Sequence, residues 1–182
     1  MEFLTAGESV DRMASYCRVE QLLFGLLGGW AADVSEPIAK LTLVATADHC
    51  AWRSRRWFEM LPTAAPGPDA LLAPTDSEHE VFTLVAELAG SSQGAQMVLA
   101  YEELLPALRG AMIEHLERTT AVADGPIRRL LGIAITDISN DLETSIGPRE
   151  VVLALAEERA HAEQSKAALA GATTQIRQIF EA

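Results

Sequence analysis

Between its glycine and proline breaks the chain repeats apolar residues every three to four positions, and nowhere does it alternate them with polar ones. That period belongs to helices that turn one side toward a core, and it argues against a sheet. The breaks are legible. Gly28-Gly29 closes the first apolar run, and Ser35-Glu36-Pro37 opens the next, with Ser35 as N-cap. The stretch LPTAAPGPDALLAPTDSE (61–78) holds four prolines and a glycine and reads as one long crossover loop, after which Asp76 or Ser77 caps a helix. Gly90-Ser91-Ser92, Asp124-Gly125-Pro126 and Ile146-Gly147-Pro148 are further stops and starts.

Helices are therefore expected over 7–31, 36–60, 77–89, 93–119, 126–144 and 148–180, with a kink or restart at Pro106. Short joints make successive helices antiparallel, which gives an all-α, up-down four-helix bundle. One domain is expected over 1–182, with its core at about 10–144. The extra C-terminal helix, 148–180, is rich in alanine and charge. It covers the outside of the bundle or pairs with a second copy in a homodimer.

A formal net charge of -12 works against nucleic acid and anionic membrane surfaces as partners. The most apolar stretch, residues 22–32, is shorter than the ~20 residues of a membrane span. MEFLTAGESV lacks the basic start and apolar run of a secretory signal, and Cys17 and Cys50 have no CxxC spacing. A cytoplasmic protein with reduced, packed cysteines is expected.

Function is sought where polar residues interrupt apolar helix faces. Met13, Cys17, Glu20, Phe24 and Leu27 form one row in which only Glu20 is charged, and Tyr16 stands one turn before it as a donor. A row from Ile38, Leu41 and Ala45 reaches Asp48 and His49 and then Trp52, which could wall a pocket. Val98, Glu102, Leu105, Met112 and Leu116 share one face of the fourth helix and Met97, Tyr101, Leu104, Leu108 and His115 its neighbour, so either Glu102 or Tyr101 looks toward the bundle centre. Leu130, Ala134, Asp137 and Asp141 step by four, three and four. Carboxylates so placed are costly unless paired, protonated or bound to a cation. An ion pair with Arg12 or an arginine of another helix is the plainer reading of Glu20, and a solvated face that of Asp137 and Asp141. Arg53, Arg55 and Arg56 complement the C-terminus of the second helix, with an anionic ligand as the sharper alternative. His79, His115 and His161 form no cluster in the sequence.

The segments CRVEQLLFGLLGGW (17–30), TADHCAW (46–52), AYEELLPALRGAMIEHL (100–116) and TDISNDLE (136–143) resemble the ferritin-like superfamily. The resemblance implies a carboxylate-bridged di-iron or di-manganese centre, built from one Glu on each of two helices and Glu-x-x-His on each of the other two. Glu20 and Glu102 match the single glutamates. His49 matches the first histidine, but Thr46 stands at its Glu. Asp137 stands at the second Glu and Asn140 at its histidine. The ligand set is incomplete.

Three functions follow as expectations. The first is an enzyme with a degraded metal centre that acts on a small organic molecule in a polar pocket at the bundle centre. Its acid–base residues are Glu20, His49, Asp137 and Asp141, and Tyr16, Asp48, Trp52, Tyr101 and Glu102 line the pocket. The second is an iron- or manganese-dependent oxidase or oxygenase, with metal on Glu20, His49, Glu102, Asp137 and Asp141. The third is a non-catalytic helical binding or dimerisation module.

Overall fold

The computed structural model describes residues 3–64, 67–73 and 75–181, and among them it is helical throughout, with no strand. Helix α1 (Ala6–Asp33) begins at a capping box: Thr5 Oγ1 accepts the Glu8 N–H, and the Glu8 carboxylate accepts the Thr5 N–H. Helix α2 (Pro37–Met60) is capped by Glu36 rather than by Ser35. Ser35 and Glu36 instead donate their N–H groups to Gln93 Oε1, both at 3.0 Å. The loop that follows carries one short helix, α3 (Pro68–Leu71); residues 65, 66 and 74 of the expected crossover lie outside the described residues. Helix α4 (Asp76–Ala89) starts at Thr75, one residue before the expected cap, in a second capping box with Glu78. Buried Glu78 also holds Arg18 of α1 through Nε at 2.8 and 2.9 Å, which fixes α4 against the first helix. Gly90 ends α4 at φ 51°, on the left-handed side that favours glycine.

The next helical run has three parts. Helix α5 (Gln93–Val98) passes into a π-helical segment (Leu99–Leu104) and then α6 (Leu105–Glu117). The Leu105 N–H bonds Ala100 O, five residues back. Pro106 follows at once. Its missing N–H and its ring crowd the preceding turn, and a wider turn relieves both without stopping the helix. Helix α7 (Gly125–Thr144) comes after a short turn.

The expected single C-terminal helix is broken twice. Helix α8 (Ile146–Leu153) ends before Leu155 goes extended; α9 (Ala156–Leu169) gives way to a 3₁₀ turn at Ala170–Ala172; α10 (Thr173–Glu181) closes the chain. The breaks let α9 lie on α5 and bring Ile176, Ile179 and Phe180 of α10 into the core, against α1 and α6. That apolar side is therefore occupied by the chain's own bundle.

Helices α1 and α2 pack together, α6 and α7 pack together, and α2 meets α7. Tyr16 Oη donates to Ala111 O at 3.2 Å and Arg12 pairs with Glu114 at 3.2 Å, joining α1 to α6. One apolar core runs through all of them, from Met13 to Phe180. Gly94 lets α5 approach α9 closely. A Cβ there would lie 2.5 Å from the backbone oxygen of Glu158, whose carboxylate accepts the Gly94 N–H at 2.8 Å. Gly94→Ala is expected to cost about 1–3 kcal/mol in urea unfolding, as overpacking does. Gly28→Ala, with nothing within 4 Å of the added carbon, is expected to be neutral or stabilising.

Candidate functional site

Helix α2 decides what meets in the middle. It is apolar on more than one side, so its period does not say which side faces in. The row read from the sequence, Ile38, Leu41 and Trp52, lies outside with Asp48 exposed, while Ala39, Leu43, Thr46, Cys50, Arg53 and Trp57 are buried. This rotation sends Arg53 inward and leaves Arg55 and Arg56 on the surface, where both pair with Glu59. The expectation that Arg53 serves the end of α2 with its neighbours is thereby corrected.

Arg53 is fully buried and is the hub of the site. Its Nε donates to Glu20 Oε1 at 2.7 Å, and its Nη1 to Asp137 Oδ2 at 2.6 Å and Asp141 Oδ2 at 3.3 Å. Its Nη2 reaches Cys50 Sγ at 3.2 Å. Burial opposes the guanidinium charge, but Glu20 and its neighbours outweigh that and hold Arg53 protonated. Burial also pushes the carboxyl of Glu20 above its ordinary range, against the pull of Arg53. The Cys50 thiol is raised well above its usual value by burial and by the Glu20 charge beside it.

Asp141, at 4% side-chain exposure, turns its second oxygen outward: Oδ1 lies 2.7 Å from His49 Nδ1. Burial raises Asp141, and the histidine hydrogen bond and Arg53 oppose the rise. His49 is 43% exposed and Asp137 28% exposed, so these two form the outer edge of the cluster. His49, Asp137 and Asp141 each offer a ligand atom within 4.8 Å of the others, and the group could hold a metal ion. A shallow hollow of about 400 Å³ on α7, lined by Arg129, Ile133, Thr136 and Asn140, borders Asp137.

The structure thus brings Glu20, His49, Asp137 and Asp141 together, and it separates the remaining candidates. Tyr16 donates to Ala111 O and packs its ring, tilted, against Trp57 at 5.3 Å between centroids. Phe24 of the Glu20 row is exposed; Leu23 takes its place inside. Asp48 faces away, and Trp52 is an exposed ring under Arg56 at 5.6 Å. Tyr101 is buried one turn along α2, sharing a 2.8 Å hydrogen bond with Thr46 Oγ1 and donating to Thr42 O at 3.2 Å. Glu102 leaves the site altogether: it pairs with Arg149 at 3.1 Å and Lys166 at 2.6 Å. Met97, Tyr101, Leu104, Leu108 and His115 take the buried face of this run, and Glu102, one residue past Tyr101, falls outside it. Glu20 itself has no exposed atom surface with which to meet a substrate, so it acts only through Arg53. Arg53 and Cys50 are the members missed in the sequence. Their signal was the spacing Thr46, Cys50, Arg53, Trp57, a helical row opposite the one chosen.

A carboxylate-bridged metal pair does not fit these residues. One of its carboxylates, Glu102, is elsewhere, and a guanidinium stands among the other three. No family model, curated protein or solved structure matches the chain.

Proposed function

We propose that this chain is a ferritin-like helical bundle in which internal ion pairs stand in for the metal centre, and that it acts on a small organic molecule by acid–base chemistry at His49. The observation that carries the reading is the 2.7 Å contact between His49 Nδ1 and a buried Asp141 that Arg53 braces from behind. Asp141 accepts the Nδ1–H. This fixes the tautomer, leaves Nε2 as the basic nitrogen, and stabilises the imidazolium once Nε2 has taken a proton. Asp137, held by Arg53 at 2.6 Å and partly exposed, lines the same edge as His49. Arg53 and Glu20 are positioning residues. The substrate site is accordingly the rim of the bundle at His49 and Asp137, not its filled centre.

His49→Gln is expected to lower kcat by about 10²–10⁴-fold with the fold intact, the usual weight of a general base. Nitrogen-15 NMR of the imidazole tests the premise without a known substrate. The neutral ring should carry its proton on Nδ1, and Asp141→Asn should redistribute it. A ring protonated on Nε2 in the wild type removes the proposal.

A second reading has its own observation: the His49, Asp137 and Asp141 donors lie within 4.8 Å of one another, and one nitrogen with several oxygens suits iron or manganese better than zinc or copper. Metal analysis of protein purified without chelators separates the two. A stoichiometric transition metal supports the second; its loss in His49→Gln places it there.

A further inference from the structure

Three carboxylates, from α1 and α7, meet one fully buried guanidinium, and a histidine bonds one of them. Carboxylates that stay ionised in a core need a counter-charge held among them. A side-chain cation and a metal ion are alternative solutions that compete for the same oxygens. Here Arg53 engages one oxygen of each carboxylate, and among the described residues no nitrogen or oxygen donor reaches the buried Oε2 of Glu20. With all three acids ionised, one guanidinium leaves negative charge in excess. We infer that Arg53 is the resident cation of this cluster, in the place of a divalent metal, and that a neutral side chain of similar length there turns Glu20, His49, Asp137 and Asp141 into a divalent-metal site. Removing the guanidinium frees an oxygen on each acid. It also opens space lined by the three carboxylates, with Glu20 on one side and, on the other, the His49, Asp137 and Asp141 donor atoms that already lie within 4.8 Å of one another. The site is oxygen-rich with one nitrogen, which selects manganese(II) as the probe. The inference turns on Glu20 and Arg53, so its failure leaves the reading of His49 as a base standing, and the reverse holds.

Manganese(II) binding, followed by loss of the free-ion EPR signal, tests it in the wild type, Arg53→Met, Arg53→Lys, and Arg53→Met combined with Glu20→Gln. Arg53→Met is expected to take up one ion roughly 100-fold more tightly than the wild type, and Glu20→Gln to remove most of that gain, as loss of a ligand or its support does. Arg53→Lys, which keeps a cation, is expected to gain nothing. Circular dichroism with and without manganese follows folding, and metal is expected to raise the Tm of Arg53→Met. The inference is overturned if Arg53→Met binds no better than the wild type, if it stays unfolded at saturating manganese, if Arg53→Lys gains equally, or if wild-type uptake already depends on Glu20.

Discussion

Arg53→Ala, assayed without metal at neutral pH, is expected to lose about 3–5 kcal/mol of folding stability, the cost of leaving buried charges without their partner. Glu20 has no exposure at all and Asp141 only 3%, so neither can trade the arginine for water. The deficit has a pH signature. Both carboxyls are raised in the folded protein, by burial first. A group raised in this way favours the fold fully below its unfolded pKa, and that contribution is lost as pH rises through the folded value. Without Arg53 to oppose it, the rise is larger. The stability gap between wild type and variant should therefore narrow as pH is lowered from neutral toward 5. Urea unfolding at the two pH values reads this directly; a gap that stays constant or widens on acidification speaks against buried, ionised acids in the variant.

Acid is expected to weaken the wild-type protein through His115. This histidine is fully buried beside Tyr16, with their rings 5.8 Å apart, and its Nε2 shares a 3.3 Å hydrogen bond with Ser9 Oγ. Burial, and then the charge of Arg12, lower its pKa from 6.5 to about 4. The fold thus holds the neutral ring while the unfolded chain takes a proton. The stabilisation is complete above 6.5 and is lost as pH falls toward 4, a total of about 3 kcal/mol at 1.36 kcal/mol per unit. Glu114 is lowered too, as the hydrogen bonds and charges of Arg118 and Arg12 outweigh its burial; its contribution is lost further down, as pH falls below its ordinary 4.5. His115→Gln, which keeps a partner for Ser9, is expected to flatten the fall in Tm between pH 6.5 and 4.5. A variant with the wild-type slope removes His115 from the account.

Much of the fold was legible because glycine and proline punctuate it. Helix α1 runs through Gly28-Gly29 to Asp33, two residues beyond the expected end at 31. Elsewhere helix ends fell within a residue or two of the expected places up to Thr144. The C-terminal helix was misread because alanine and charge give no apolar row strong enough to reveal the stops at Leu155 and at Ala170–Ala172. Glu20 was legible for the opposite reason, since it is a lone acid in an otherwise apolar row, and Asp141 because it shares a helical face with Leu130 and Ala134. Asp137 proved intermediate: Ile138 takes the innermost place, and Ile133 faces solvent. Glu102 was ambiguous because two neighbouring faces of its helix are both largely apolar; the row through Tyr101 takes the inside and leaves Glu102 out. Arg53 was hidden by composition. Three arginines at the end of a helix look like surface charge, and α2 carries apolar residues such as Leu41 and Trp52 on its exposed side as well as in its core. An arginine of another helix was one expected partner of Glu20, and the pair is present; that this arginine is Arg53, and that it also holds Asp137 and Asp141, was not legible.

A double-mutant cycle joining Glu20→Gln and Arg53→Met, measured by urea unfolding in the presence of chelator, is the most direct measurement of that hub. The two residues make a 2.7 Å contact with neither exposed. The combined variant should lose less than the sum of the single losses by about 2–3 kcal/mol, at the upper end for contacting residues. Losses that add to within about 0.5 kcal/mol, as for independent sites, would contradict the claim that Glu20 is held in the core by Arg53.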